Sequence, residues 1–120
     1  MSGIKLSEIL MNEGVRDFGS ALREAVRDER SQDYASLVEL EYVETSEEFA
    51  EVIKKFMRRY DTYARKYGIR RPKEESLEEL VKLVDRYGVR PIRAILISLA
   101  LLESPKEDEK LVEEEVNKNE

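Results

Sequence analysis

The 120-residue chain contains no cysteine, no histidine and no tryptophan. Without cysteine there is no disulfide framework, no thiolate nucleophile and no zinc knuckle. Without histidine the commonest general base and the commonest metal ligand are both missing. Long apolar runs are missing too. The longest, Ala94 to Leu102, is broken by Ser98 and falls far short of the ~20 residues of a membrane span. The N-terminal MSGIKLSEIL lacks the charged region and the small-residue cleavage site of a signal peptide. These absences predict a soluble cytoplasmic protein with no membrane partner. None of the five glycines sits in a phosphate-binding loop. Acidic runs such as Glu47-Glu48, Glu74-Glu75 and Glu113-Glu114-Glu115 fall at helix starts or in the tail, where they complement the helix dipole or stay solvated. No spacing of carboxylates argues for a metal, and nothing present would activate the Ser and Tyr hydroxyls. The sequence therefore predicts no enzyme, no cofactor, no metal and no small-molecule substrate.

Charge is abundant and unevenly distributed. Charged residues make up 40% of the chain, which carries a net charge of −6. That composition, rich in Glu, Lys and Arg, leans toward a thermophilic source. Residues 1–53 hold 13 acids and 5 bases, and residues 103–120 carry a net −5. Between them lies 54-KKFMRRYDTYARKYGIRRPK-73, with nine Lys or Arg against the single acid Asp61. Blocks of opposite sign point to surfaces that meet different partners.

Helical periodicity dominates the pattern. After Ser46, a candidate N-cap, apolar residues recur at 49, 52, 53, 56, 57, 60, 63, 64 and 67, which predicts a helix over 47–67. Gly68 supplies its left-handed C-terminal position, Ile69 the accompanying apolar contact, and Pro72 blocks continuation. Ser76-Leu77-Glu78-Glu79 reads as a capping box opening the next helix, with Leu77, Leu80, Val81, Val84 and Tyr87 on one face and a stop at Gly88. The two stops, 65-RKYGIRRP-72 and 85-DRYGVRP-91, share capping chemistry rather than marking a duplicated domain. Pro91 suits the first turn of a third helix through about Glu103, apolar enough to form the buried centre. Leu6 to Met11 predicts a short helix. Val15, Phe18, Leu22, Ala25 and Val26 predict another despite Gly19. Residues 37–43 are ambiguous between strand and helix; helix is preferred, with Tyr34, Leu37, Val38 and Tyr42 on one face, because a lone strand has no partner. The expected fold is all-α: one bundle of four to six helices over 1–105, with a buried helix near 91–103 and an acidic tail from 106 to 120 that is frayed or helical only with a partner.

On the 47–67 helix, Lys54, Lys55, Arg58, Arg59, Arg65 and Lys66 fill the arc beside the apolar stripe. Arg58 and Arg59 have no acid four residues away in either direction, and Asp61 can neutralise about one of its basic neighbours. Arg70, Arg71 and Lys73 carry the charge into the following loop, and Arg90 and Arg93 start the next stop's helix. Were the two stops at opposite ends of an antiparallel pair, the patch would reach along the bundle. Such a surface suits a phosphate backbone, and its bias toward Arg favours forked contacts. Tyr63, at the border of the two arcs, is the candidate for stacking on an unpaired base; Tyr60 and Tyr67 read as core. An acidic protein partner and a plain solvated face remain the alternatives.

The segment FMRRYDTYAR (Phe56–Arg65), followed by RRP, an acidic capped helix and YGVRPIRAILISLAL, resembles the small subunit of archaeal type I-A CRISPR interference complexes (Cascade). Small subunits of type III complexes are similar in outline. The resemblance spans about residues 46–103 and rests on the order and character of the helices. It implies a non-catalytic helical bundle, repeated in several copies beside the backbone and large subunits, that helps to hold the target or displaced DNA strand of an R-loop or the guide RNA. Its contacts would be the basic residues from Lys54 to Arg71.

Overall fold

The computed structural model describes residues 5–102. Among them are six α-helices and no strand: α1 Leu6–Met11, α2 Glu13–Arg27, α3 Ala35–Tyr42, α4 Ser46–Tyr67, α5 Glu74–Tyr87 and α6 Val89–Leu101. The ambiguous 37–43 segment is therefore helix. The acidic tail lies outside the described residues.

α2 and α6 make the most extensive helix–helix contact, and α2 also packs on α1 and α5. Asn12 starts α2, its side chain accepting the backbone N–H of Gly14 at 2.8 Å and of Val15 at 3.2 Å. Glycine lets α2 approach its neighbours closely. A Cβ on Gly14 would lie 2.5 Å from the Ser76 carbonyl oxygen of α5, and one on Gly19 would lie 2.8 Å from the Leu99 Cδ1 of α6. Gly19 is thus a packing device and does not interrupt the helix. α6 buries Val89, Ile92, Leu96 and Ala100 against this centre, while Leu101 and Leu102 are exposed.

α4 completes the core with Phe49, Ile53 and Phe56, all fully buried, each contributing about 1.5–3 kcal/mol by burial. Its cap is Thr45 rather than Ser46. The Thr45 hydroxyl accepts the Glu48 N–H at 3.1 Å and donates to the Glu48 carboxylate. Gly68 is left-handed (φ 66°, ψ 35°), and the Ile69 N–H returns to the Ala64 carbonyl at 2.9 Å.

The Ser76 capping box does not form. α5 starts two residues earlier, at Glu74, without a side-chain cap of its own. Asp17 of α2 takes that part, accepting the Lys73 N–H at 2.9 Å and the Ser76 hydroxyl at 2.6 Å. A carboxylate 56 residues away thus competes successfully with the local motif. On α5 the buried residues are Ser76, Leu80, Leu83 and Val84; Leu77, Val81 and Tyr87 are half-buried. On α3 the expected face is partly reversed. Leu37 and Leu40 point inward, whereas Tyr34, Val38 and Tyr42 are exposed.

Candidate nucleic-acid interface

Along α4 an aromatic ladder faces inward, with ring centroids 5.3 Å apart for Phe56–Tyr60, 5.5 Å for Tyr60–Tyr63 and 5.4 Å for Tyr63–Tyr67. This ladder fixes which side of the helix meets solvent. Lys54, Lys55, Arg58, Arg65 and Lys66 are exposed, as are Arg70, Arg71, Lys73 and Arg90. Arg59 and Arg93 are half-buried and Tyr63 is buried.

Ion pairing divides the basic residues into two groups. Lys55 pairs with Glu39 of α3 at 3.4 Å. Arg59 is a clamp between α4 and α3, 3.4 Å from Asp33 and 3.7 Å from Glu39, and it donates to the buried Ser36 hydroxyl at 2.6 Å. Asp61 is shared by Arg65, at 3.1 Å, and Arg71. The Arg71 hydrogen bond is the main reason the Asp61 carboxyl is held below its ordinary range. Arg93 donates to the Val43 carbonyl at the end of α3. Lys66 lies over the Tyr67 ring at 5.5 Å. Among the described residues Lys54, Arg58, Arg70, Lys73 and Arg90 have no acidic side-chain partner.

Tyr63 does not keep the part expected of it. Only 8% of the residue is exposed, and its hydroxyl donates to Asp28, with Glu24 at 3.4 Å. The C-terminal turn of α2 therefore covers the ring edge that helical spacing placed at the border. No free face remains for a base. Burial, reinforced by the hydrogen bond to Asp28, raises the Tyr63 hydroxyl well above the usual phenol range. Asp28 is held well below the carboxylate range, first by a forked pair from Arg30 at 2.7 and 3.0 Å and then by Tyr63. Burial also pushes Tyr60 up to about 12, with Glu24, Asp17 and Asp28 adding to the shift. Tyr67 is the more accessible ring, and the Arg30 guanidinium sits 4.0 Å above it.

The two glycine stops lie at opposite ends of α5, a 14-residue helix about 21 Å long. Arg65, Lys66, Arg70 and Arg71 gather around the C-terminus of α4. Arg90 and Arg93 stand at the other end of α5, so the basic residues reach along the bundle rather than forming one cluster, and Arg93 is tied inward. Arg16 and Arg23, which periodicity did not single out, line the same groove as Arg70 and Lys73. Their spacing of seven on the polar side of α2 was a readable signal, hidden by the acidic balance of residues 1–53. Among the described residues no group of three or more acids is placed to hold a metal ion, and no helix is long and apolar enough to cross a membrane.

The chain is 56% identical over 119 residues to a protein of Archaeoglobus fulgidus that carries the name "Uncharacterized protein", a match covering 96% of this chain and 98% of that one. The chain belongs to the family of that archaeal protein. No family model matches the chain, and no solved structure does either. The match takes in nearly the whole of both chains.

Proposed function

We propose that this chain is a non-catalytic, cytoplasmic, nucleic-acid-binding subunit that grips the phosphate backbone through the outer face of α4 and the α4–α5 turn. The observation that carries this reading is a set of cations without an acidic partner among the described residues, Lys54, Arg58, Arg70 and Lys73, held on one long capped helix and the loop leaving it. Unpaired surface cations surrender no ion pair when they meet phosphate, and each displaces condensed counterions. Nothing in the site reads base edges, so binding should be indifferent to sequence. The resemblance to the type I-A CRISPR small subunit supplies the biological setting. In that setting backbone contacts repeated over several copies tip an R-loop exchange that is close to energetic balance. The exposed Tyr34, Val38 and Tyr42 on α3 suit a protein neighbour within such an assembly.

The test is isolation of the tagged full chain from its source cells with whatever it holds. Effector subunits and guide RNA should accompany it in fixed ratio. A stoichiometric acidic protein without nucleic acid would establish a helical adaptor instead.

A further inference from the structure

A groove of about 730 Å³ runs between α2 and the α4–α5 turn. Arg16 and Arg23 of α2 and Arg70 and Lys73 of the turn bring four cations to it, while Leu10, Ile69 and Leu99 give it apolar walls. Three acids, Glu13, Asp17 and Glu24, also line it. Asp17 is already occupied by Ser76 and the Lys73 N–H, and Glu24 lies 3.4 Å from the Tyr63 hydroxyl. The groove thus offers free positive charge, apolar surface and some negative charge together. A phosphate strand would use the first of these, have little use for the second and be repelled by the third. An acidic amphipathic peptide carrying some lysine uses all three.

We propose that this groove is the docking site of the chain's own acidic segment, residues 103–120. The segment holds eight acids, the lysines Lys106, Lys110 and Lys118, and the apolar trio Leu111, Val112 and Val116. The described chain ends three residues past the groove wall. Leu99 lines the wall, α6 ends at Leu101, and Leu101 and Leu102 leave the helix 61% and 55% exposed. Leu111 lies nine residues beyond Leu102, a reach of up to about 30 Å in extended chain, ample for a groove whose wall includes Leu99. The match to the relative leaves out about 4% of this chain, roughly five residues of 120, so most of the 18-residue segment lies within the matched length. Docking would place Glu113, Glu114 and Glu115 against Arg16, Arg23 and Arg70. It would also set the segment in competition with a nucleic-acid backbone for Arg70 and Lys73. That consequence rests on the proposed function; the docking itself does not.

The absence of cysteine makes the test direct. A nitroxide on the full chain carrying Asn117→Cys is used as a paramagnetic probe, with amide NMR as the readout and no nucleic acid in the sample. The amides of Arg16, Ser20, Arg23, Arg70 and Lys73 should lose most of their intensity, while those of α3 keep theirs. The triple change Glu113→Lys, Glu114→Lys, Glu115→Lys in the same chain should restore the lost signals. Losses centred elsewhere, losses indifferent to the charge reversal, or losses arising only between labelled and unlabelled copies would each overturn the proposal. Because nucleic acid is absent, such a failure leaves the backbone-binding reading untouched, and failure of that reading leaves this result unaffected.

Discussion

Gly68 and Gly88 close two helices that end in nearly the same words, KYGIRRP and RYGVRP, yet the chain does different things after each. Gly68 takes the left-handed conformation and releases a loop on which Arg70, Arg71 and Lys73 are exposed. Gly88 takes φ 94° and ψ 163°, and α6 restarts at the next residue. Arg90 then sits on a helical first turn, and Arg93 is drawn inward to Val43. The position of the proline separates the two stops. Pro72 falls in the loop between α4 and α5, whereas Pro91 is the third residue of α6 and needs no intrahelical N–H partner there. Shared capping chemistry thus yields an open cationic loop in one place and a locked corner in the other.

The two stops should differ most in what their glycines tolerate. The Gly88 backbone lies in a region open almost only to glycine, so Gly88→Ala should destabilise the fold by about 3 kcal/mol, lowering Tm by roughly 10 °C or more. Gly68→Ala should cost only about 1 kcal/mol, because nothing lies within 4 Å of the added Cβ and the left-handed region is merely disfavoured. Gly68→Asn should cost less still. Equal Tm losses at the two sites would show that the stops are equivalent after all.

The arginines after the two stops should differ as well. Arg93→Met removes a charged donor from a buried carbonyl and should cost about 1.5 kcal/mol, read by denaturant unfolding, with nucleic-acid binding unchanged. Arg71→Met breaks an exposed pair and should leave Cm almost unmoved. Its effect appears in acid. The Asp61 carboxyl has a folded pKa below its unfolded value, so its contribution is present above the ordinary carboxylate pKa and is lost as pH falls through the folded value. In Arg71→Met that acid-side loss should shrink. The phenols act at the other extreme. Tyr60 and Tyr63 hold their protons more tightly folded than unfolded, so stability should decline as pH rises past the ordinary tyrosine pKa of about 10. Tyr63→Phe should soften that decline, as followed by thermal melts across alkaline buffers.

How far the sequence was legible depends on the range of the interactions involved. Periodic apolar spacing and the Gly68 cap are local, and they placed α4 to within a residue and put Phe49, Ile53 and Phe56 in the core. Features decided by distant partners were not legible. Asp17 reaches across 56 residues to cap α5, displacing the Ser76 box. Asp28 and Glu24 claim the Tyr63 hydroxyl and turn a border residue into core. Asp33, Ser36 and Glu39 capture Arg59, so a helical wheel that shows six equal cations conceals which are spent. On α3, too few residues separate two apolar faces for periodicity to choose between them, and Tyr34, Val38 and Tyr42 went to the outside.

On the proposed function, nucleic acid is held by the cations of α4 and its loop that have no acidic partner among the described residues, rather than by positive charge in general. The direct measurement is the salt dependence of single-stranded oligonucleotide binding by the full chain. Two variants with the same loss of charge are compared, Arg58→Gln with Arg70→Gln, and Lys82→Gln with Arg86→Gln on α5. The account predicts that the first pair lowers the log–log slope by about 1.4, the value for two lost phosphate contacts on a single strand, while the second leaves it unchanged. Equal reductions for both pairs, or none for the first, would contradict it.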